Sequence, residues 1–382
     1  MHQLWFPTRI LFGEGALAGL EKRLPAWGKR ALLVTGGTAT AGMPAVASIR
    51  EMLSRQGGVC IHFAEVKADP DVETVERGAA LGAAEGVDMV IGLGGGSPLD
   101  AAKAIAACLT NEGPASVFFN PAGISKTPLP LVCIPTTAGT GSEATSVAVL
   151  TDNANRRKMS VMSPLLYPAL SIVDPELTAS MSPALTAATG ADALTHAVES
   201  YVAGGAWEVT RGWSFRAVSF IASYLRRACA EGSDREARHY MALASTLAGM
   251  AFSQAGLGLA HALAHPLGAL FGVPHGTANA VLLPVVMEFN SEEVPEAYQE
   301  LAFLFGTNAA GLEPREAARR AVAAVRDLFA TAELPATLAA CGVNEQHIPL
   351  LATEAMLNER LRASNPREST LEQLEGIYRS CV

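Results

Sequence analysis

Residues 88–103 have the sequence DMVIGLGGGSPLDAAK, and this stretch determines which class of fold the chain can adopt. Its apolar run at 88–93 predicts a buried strand, three glycines follow, and Ser97 with Pro98 predicts the cap and first residue of a helix. Elsewhere in the first half, apolar runs predict strands at 30–35, 58–66 and 129–134, and helical periodicity is found at 44–56 and 72–85. Strands that alternate with helices predict an α/β domain whose mostly parallel sheet is covered on both faces.

The second part of the chain differs in composition from the first. From about Pro183 onward the sequence predicts helices rich in Ala and Leu, separated by Gly and Pro, and no run predicts a strand. A length of 382 residues is typical of two domains. We therefore expect an α/β domain over residues 1–180, followed by an all-α domain over residues 181–382.

The charge and the cysteine pattern exclude several classes of protein. The net charge is −9, from 28 Lys and Arg against 37 Asp and Glu, and there is no basic run. This argues against nucleic acid or an anionic membrane surface as a partner. The six cysteines form no CxxC pair, and the first residues lack the basic and then apolar pattern of an export signal. We expect a cytoplasmic protein with reduced thiols.

A long uncharged stretch raises the alternative of a membrane segment. Residues 239–287 contain no Asp, Glu, Lys or Arg. The stretch nevertheless includes four histidines, a glutamine and several prolines, and lipid-facing helices rarely carry that many polar side chains. We expect helices that are buried inside a globular domain.

Two loops at predicted strand ends are candidates for binding phosphate. Gly94, Gly95 and Gly96 let backbone amides approach a ligand closely, and the helix that starts beside them favours an anion. A second loop, 135–145, has the sequence PTTAGTGSEAT, which is rich in hydroxyls and follows the next strand along the chain. Ligands of open α/β sheets bind at that edge, so the two loops together predict a nucleotide site. The alternatives are a glycine turn needed for packing and a polar surface loop.

The second part of the chain contains a candidate metal site. Asp192 and His196 are four residues apart, which places both on one face of a helix. His261 and His265 repeat this spacing, and His275 follows at a Pro/Gly turn. One carboxylate and three imidazoles suit a divalent first-row metal, but the spacing does not decide which three histidines ligate. Pro266 is expected to disturb the helix at His265. The alternative for each histidine alone is a hydrogen-bonded core residue.

Taken together, these segments resemble the iron-containing (group III) alcohol dehydrogenase family over essentially the whole chain. The resemblance rests on segments in a fixed order along the sequence: 94–97 with Asp100 and Lys103, 135–142, Asp174-Pro175, 189–196, 261–265, 274–276, Asn279-Ala280, 286–290 and 365–367. It implies a dinucleotide-binding first domain and a metal- and substrate-binding second domain.

The resemblance also implies roles for individual residues. It makes Asp192, His196, His261 and His275 the metal ligands, usually of Fe²⁺ and in some members of Zn²⁺; Mn²⁺ would also suit this set. It places His265 beside the metal, where it would assist proton movement or cofactor positioning, and Phe252 in the alcohol pocket. The candidate cofactor-binding residues are Gly36, Gly94, Gly95, Gly96, Ser97, Asp100, Thr136, Thr137, Thr140, Ser142, Thr145 and Lys158.

Gly36 bears on the choice between NAD and NADP. Many NAD-dependent relatives have an aspartate at this position, after the first long strand, where the carboxylate would bind the ribose 2′-hydroxyl and repel a 2′-phosphate. Glycine removes that repulsion. We therefore hypothesise that NADP(H) is accepted and preferred, the alternative being that Gly36 serves the turn and NAD(H) is used.

The activity implied is reversible hydride transfer between NAD(P)(H) and a small primary alcohol or diol and its aldehyde, with the metal as Lewis acid. Alternatives on the same scaffold are glycerol dehydrogenase, maleylacetate reductase and dehydroquinate synthase, the last disfavoured by the few basic residues near the histidines. A non-catalytic metal- or nucleotide-binding protein and a metal-dependent hydrolase are further alternatives. The resemblance also implies a homodimer or a higher homo-oligomer.

Overall fold

The computed structural model describes residues 1–155 and 157–382, with the side chains of all but Thr38 and Pro121. Two compact units are present. The sheet unit consists of Trp5–Thr137 and Gly141–Ser180, and the helical unit of Met1–Leu4, Ala138–Thr140 and Met181–Val382.

The sheet unit is built on six parallel strands in the order β1-β8-β5-β4-β2-β3, with an antiparallel hairpin of β6 and β7. The strands are β1 Arg9–Phe12, β2 Arg30–Gly36, β3 Val59–Val66, β4 Met89–Gly94, β5 Leu131–Pro135, β6 Val147–Asp152, β7 Arg157–Met162 and β8 Leu170–Val173. Its helices are α1 Thr38–Ala41, α2 Pro44–Arg55, α3 Val72–Ala84 and α4 Gly96–Cys108. The sequence predicts β2, β3, β4 and β5, but it does not predict the two four-residue strands or the polar hairpin.

Helices cover both faces of this sheet. On one face Ile49 and Leu53 of α2 pack with Leu33 and Ile91. On the other face Ile105 of α4 packs in a cluster that also includes residues of α3, β2 and β4. All six residues of β4 are buried, as expected for a central strand of a covered parallel sheet. The apolar run that predicted this strand therefore reflects burial from two sides.

The parallel register brings three loops to one edge of the sheet. Thr35 of β2 pairs with Leu93 of β4, and Leu93 pairs with Ile134 of β5. These strands end within a residue or two of each other, so the loops that follow them lie side by side, at the carboxyl edge where such sheets bind ligands. Gly94 has a φ of +148°, and a Cβ there would lie 2.6 Å from Pro98 Cγ, so this position requires glycine.

The helical unit contains ten α-helices among the residues that the structure describes: α5 Pro183–Val202, α6 Glu208–Ala230, α7 Arg235–Ala255, α8 Leu259–Phe271, α9 His275–Asn290, α10 Pro295–Leu304, α11 Pro314–Thr331, α12 Ile348–Met356, α13 Glu359–Ser364 and α14 Leu371–Arg379. Residues of α5, α6, α7, α10 and α11 form one apolar core, and residues of α8, α12 and α14 form another. Helix α9 contributes to both cores.

The uncharged stretch forms parts of α7, α8 and α9. Within the described residues no single helix has the length and apolarity needed to cross a membrane, although α7 and α8, bent by 105°, would pass that test as a pair.

The predicted disturbance of α8 at His265 is wrong, because the helix continues through Pro266. A proline in a helix lacks the amide that would bond the carbonyl four residues earlier. Here the side chain of Asn358 donates to that carbonyl, the oxygen of Ala262, at 2.9 Å. The tertiary hydrogen bond replaces the missing one, so the backbone remains helical.

Candidate functional site

Helix α5 carries the first two predicted metal ligands. Ser182 caps it by accepting from Leu185 N at 3.2 Å, and Pro183 occupies its first position. The helix then runs through the interior of the unit, so Asp192 and His196 are 3% and 4% exposed. A carboxylate so deeply buried requires positive partners or hydrogen-bond donors.

Three of the predicted ligands converge in the helical unit. His261 lies in the first turn of α8, and His275 begins α9. Ligand atoms of Asp192, His261 and His275 all lie within 4.8 Å of one another. The Nε2 atoms of His261 and His275 are 3.9 Å and 3.6 Å from Asp192 Oδ1. Because these atoms surround a common point, they could coordinate one ion.

His196, the fourth predicted ligand, lies against this group but outside that distance limit. Its ring stacks on the ring of His261 with a centroid distance of 4.5 Å, and its Nδ1 is 4.0 Å from Asp192 Oδ2. Nδ1 is also 3.3 Å from the carbonyl oxygen of Gly139. Burial lowers the pKa of His196 to about 4, so the imidazole is neutral and keeps the lone pair that a metal requires.

Asn279 tests whether these residues fit a metal. Its Nδ2 donates to Asp192 Oδ1 at 2.8 Å and lies 3.3 Å from Nε2 of both His261 and His275. Its Oδ1 is buried and has no hydrogen-bond partner among the described residues. One weakly positive amide group thus faces a set of lone pairs, while its oxygen bears a desolvation cost of about 1–3 kcal/mol. The carboxylate oxygen and the two imidazole nitrogens around the Asn279 Nδ2 group form a donor set that fits a divalent cation.

Phe252 and His265 border the same cluster. Phe252 of α7 stacks on His196 at a centroid distance of 4.5 Å. The ring of His265 in α8 is 5.9 Å from that of His275. The cluster therefore has an apolar aromatic ring on one side and a further imidazole on another.

Glu199 is a residue that the sequence analysis did not single out. It is 2% exposed and lies on α5, three residues after His196. Its Oε2 is 2.6 Å from His261 Nδ1, and its two oxygens also accept from Gly258 N and Ala260 N. A carboxylate in an otherwise apolar part of a helix was a signal that could have identified it, since such a group is rarely buried without partners.

In the sheet unit, α4 begins two residues earlier than the sequence predicts. Its N-cap residue is Gly95 and its first residue is Gly96, so the prediction of Ser97 as the cap is wrong. The hydroxyl of Ser97 instead accepts from Asp69 N at 3.2 Å. The first-turn amides of α4 have no acceptor within the helix, which is the arrangement that binds phosphate at a helix N-terminus.

The second loop touches the first one. Thr136 N donates to the carbonyl oxygen of Gly94 at 2.9 Å. A Cβ at Gly95 would lie 3.3 Å from the Thr137 side chain, so this glycine keeps the two loops close together. Thr136 is buried, and Thr140 groups with the helical unit. The predicted residues Gly94, Gly95, Gly96, Ser97, Thr136 and Thr137 are therefore neighbours at one edge of the sheet.

Three other predicted cofactor residues belong to a buried network around Lys103. Lys103 Nζ lies within hydrogen-bonding distance, 2.7 to 2.9 Å, of four acceptor oxygens: Ser142 O, Ser142 Oγ, Thr145 Oγ1 and Val147 O. Asp100 accepts from Ser142 Oγ at 2.6 Å and from Val149 N at 2.9 Å. Burial lowers the pKa of Lys103, and these oxygens stabilise its ammonium form. The polar atoms of this network hold the second loop in place.

Gly36 and Lys158 border the glycine loop: a Cβ at Gly36 would lie 3.7 Å from Pro98 Cγ, and Asp69, the partner of Lys158, donates its backbone amide to Ser97 Oγ. Lys158 is on β7, and its 4% exposed side chain forms an ion pair with Asp69 at 2.7 Å. A Cβ at Gly36 would be 3.5 Å from Thr40 Oγ1 and 3.6 Å from Val66 O, which are ordinary contacts, and φ at Gly36 is outside the left-handed region. The local backbone therefore does not require glycine at position 36.

Two protein-family models together match nearly the whole chain. The family model described as iron-containing alcohol dehydrogenase matches residues 7–175, and that of the Fe-containing alcohol dehydrogenase family C-terminal domain matches residues 186–382. The chain is 39% identical to the lactaldehyde reductase of Escherichia coli K12 over 371 residues, 96% of each chain. It is 37% identical to the NAD-dependent methanol dehydrogenase of Bacillus methanolicus, over 100% of each chain.

The fold is also similar to that of a solved structure. The crystal structure of a 1,3-propanediol oxidoreductase superposes with a TM-score of 0.97 at 39% identity, covering 100% of both chains. The predicted fold class and the predicted oxidoreductase activity toward alcohols and aldehydes are confirmed. The chain belongs to the iron-containing alcohol dehydrogenase family.

Proposed function

We propose that this protein catalyses reversible hydride transfer between NADP(H) or NAD(H) and a small primary alcohol or diol and its aldehyde. In the reducing direction one hydride and one proton are added to the aldehyde, and the dinucleotide is oxidised. The observation that carries this proposal is the convergence of Asp192, His261 and His275 around the Asn279 amide.

The residues that would hold the metal are Asp192, His196, His261 and His275. When bound there, a divalent ion supplies a Lewis acid that withdraws charge from the substrate oxygen. We propose Fe²⁺ as the ion, with Zn²⁺ or Mn²⁺ as alternatives that the same donor set accommodates. His265, 5.9 Å from the His275 ring, would accept or donate the proton that accompanies hydride transfer.

The residues that would hold the dinucleotide lie at the carboxyl edge of the sheet. The amides at the start of α4, from Gly96 and Ser97, would bind the pyrophosphate. Thr136 and Thr137 would add hydroxyl groups, and Lys158 a positive charge. Asp100, Ser142 and Thr145 would act indirectly, because they and Lys103 fix the loop that carries these groups.

We propose that NADP(H) is preferred over NAD(H). Gly36 leaves room for the 2′-phosphate, and the structure offers no local backbone reason for a glycine there. Comparison of kcat/KM for NADPH and NADH at equal ionic strength tests this preference. A tenfold preference for NADH would contradict it.

Small alcohols and diols are the proposed substrates. The relatives are named for lactaldehyde, methanol and 1,3-propanediol. In this chain Phe252 presents an apolar ring next to the ligand cluster, which favours short uncharged substrates over charged ones. We further propose that the protein is cytoplasmic, in keeping with its six free cysteines. We also propose a homodimer or a higher homo-oligomer, as the family resemblance implies.

The test of the function is an activity panel on metal-free protein reloaded without oxygen. Short aldehydes and alcohols, lactaldehyde and 1,3-propanediol included, would be assayed with both cofactors after loading Fe²⁺, Zn²⁺ or Mn²⁺. We expect metal-dependent oxidation of NAD(P)H with short aldehydes. The Asp192→Asn variant, which keeps the side-chain size, should stay inactive under every loading. If no combination consumes NAD(P)H, the proposal is wrong.

A further inference from the structure

We propose that Glu199 and Asn365 are positioning residues of the metal site. Together they cap the first turn of α8, and Glu199 also fixes the ring of His261. This inference rests on the proposed metal site but concerns residues outside the ligand set. Both side chains are buried, with exposures of 2% for Glu199 and 8% for Asn365.

Helix α8 cannot cap itself, because its N-cap residue is Gly258. The amide of Gly258 donates to Glu199 Oε2 at 3.0 Å, and that of Ala260 donates to Glu199 Oε1 at 2.6 Å. The amide between them, of Leu259, donates to Asn365 Oδ1 at 3.2 Å. Three successive amides at the start of the helix are thus satisfied by side chains from distant parts of the chain.

Gly258 is needed for this cap. A Cβ at this position would lie 2.8 Å from Asn365 Oδ1 and 3.1 Å from Glu199 Oε1. Any larger residue would therefore displace one of the two capping groups. Because the cap fixes where α8 begins, it also fixes the angular position of His261, which follows Gly258 by three residues.

Glu199 acts on His261 directly as well. His261 Nδ1 is 2.6 Å from Glu199 Oε2, and the two side chains are 3% and 2% exposed. The carboxylate can only accept, so Nδ1 carries the proton and Nε2 keeps its lone pair. Nε2 is the atom that faces Asp192 Oδ1, at 3.9 Å. A carboxylate behind a ligating imidazole fixes its tautomer and ring orientation in this way.

Asn365 links the helices that carry two of the ligands. The side-chain amides of Asn365 and Asn290, the last residue of α9, form two reciprocal hydrogen bonds, at 2.7 Å and 2.9 Å. Helix α9 begins with His275. Asn365 thus contacts the start of α8 and the end of α9 at once. This gives a physical reason for the segments 286–290 and 365–367, which the sequence analysis noted without assigning them a role.

Replacement of Glu199 by glutamine tests its role, because it changes the acceptors and the charge but not the size of the side chain. The two oxygens of Glu199 receive three donors: the amides of Gly258 and Ala260 and the Nδ1–H of His261. Glutamine has the same size but only one acceptor oxygen. In Glu199→Gln at least one donor would face the NH₂ group, and the negative charge behind His261 would be lost.

The experiment measures Zn²⁺ affinity of the full-length protein by competition with a chromophoric chelator. We expect Glu199→Gln to bind Zn²⁺ about 10- to 100-fold more weakly than the unsubstituted protein. Its Nδ1–H signal for His261 in ¹H–¹⁵N spectra should be shifted or lost. The control is Ser200→Ala, because Ser200 is buried beside Glu199 on α5 but its hydroxyl bonds Ser214 Oγ at 2.9 Å and the Ala197 carbonyl at 3.3 Å. We expect its Zn²⁺ affinity to be unchanged.

Asn365→Ala separates the two functions. It removes the bonds to Leu259 and Asn290 but leaves the carboxylate behind His261. We therefore expect about fivefold weaker Zn²⁺ binding with the Nδ1–H signal retained. Unchanged affinity in this variant would overturn the role of Asn365, and unchanged affinity and spectrum in folded Glu199→Gln would overturn that of Glu199. If the unsubstituted protein binds neither Zn²⁺ nor Co²⁺, it is the proposed metal site that fails.

Discussion

Asn279 is the residue whose hydrogen bonding a metal ion at the proposed site would change most. Its amide lies among the ligand atoms as their shared donor, while its oxygen is buried without a partner among the described residues. The side chain therefore satisfies the site only partly, and a cation would relieve the crowding of lone pairs on Asp192, His261 and His275. The unpartnered oxygen shows that the hydrogen-bond network is not closed, which supports the proposed ion at this cluster.

Substitution of Asn279 by Asp should widen the difference in Tm between the metal-free and the metal-loaded protein. A second carboxylate within about 3 Å of Asp192 Oδ1 would repel it, so we expect a lower Tm than the unsubstituted protein in EDTA. Added Zn²⁺ should raise the Tm of Asn279→Asp by more than it raises that of the unsubstituted protein, as scanning fluorimetry can show.

The matched control is Asn111→Asp in the sheet unit. Asn111 is 7% exposed and donates to the Ala107 and Lys126 carbonyls, so this change should destabilise the protein as well. Zn²⁺ should not restore its Tm. Equal Zn²⁺ responses of the two variants would argue against a metal beside Asn279.

A carboxylate at position 36 should shift cofactor use toward NADH. The space around Gly36 accepts a side chain, so Gly36→Asp is expected to fold. Its charge would repel a 2′-phosphate, and we expect kcat/KM for NADPH to fall at least about tenfold while that for NADH is kept or increased. Steady-state kinetics at fixed ionic strength measures both. Gly37→Asp adds the same charge in open space, where a Cβ meets nothing within 4 Å, and should have a smaller effect.

Some site residues could be predicted from the sequence and others could not. Asp192 and His196 are one helical turn apart, so their shared face follows from local geometry. Glu199 lies 62 residues from His261, and Asn279 lies 87 residues from Asp192. Contacts over such separations depend on how helices pack, and no local pattern encodes them.

Among the elements, long apolar strands were predictable and short or polar ones were not. β4 is buried along its whole length, so its sequence is a continuous apolar run. β1 and β8 have four residues each. β6 alternates half-buried with buried residues over its first four positions, β7 has one buried residue, Val161, and both strands carry charged side chains. These strands form because they pair with neighbouring strands, and their local sequence alone does not indicate a strand.

Helix α8 shows how a tertiary contact can override a local rule. We expect Asn358→Ala to lower the free energy of unfolding by about 1–3 kcal/mol, because it leaves the Ala262 carbonyl without a partner. In a Pro266→Ala background the helix regains its own amide donor at this point. The cost of Asn358→Ala should then fall to less than half.

Urea unfolding of the four proteins in this double-mutant cycle measures the coupling. Asn358 makes no side-chain cap bond to its own helix α13, so the comparison isolates its bond to α8. Additive effects of the two substitutions would show that the bond to Ala262 does not compensate for Pro266.

For the molecule as a whole, metal removal should reduce stability. An ion that binds the folded but not the unfolded chain stabilises it by about 2.7 kcal/mol at one hundred times its Kd. We expect a lower Tm in EDTA than in Zn²⁺, measured by calorimetry. Asp192→Asn should melt at the same temperature in both, and a Zn²⁺ response that survives this change would place the ion elsewhere.

The two units differ in how far the sequence could describe them. The α/β character of the first part follows from strands and helices that alternate along the chain, and the helical character of the second follows from its composition. The assignment of Met1–Leu4 and Ala138–Thr140 to the helical unit could not be foreseen. His2, for example, stacks on Trp207 at a centroid distance of 5.1 Å, more than two hundred residues along the chain.

The enclosure of Lys103 makes its amine a chemical reporter. The six lysines of the chain all lie within the first 158 residues, and exposed Lys126 can react at once with an acylating reagent. Lys103 has 0% exposure and is surrounded by oxygens, so we expect its amine to be acylated only when the segment 142–147 separates from it. The acylation rate of this one amine, followed by peptide mass spectrometry, would therefore time the opening of that segment.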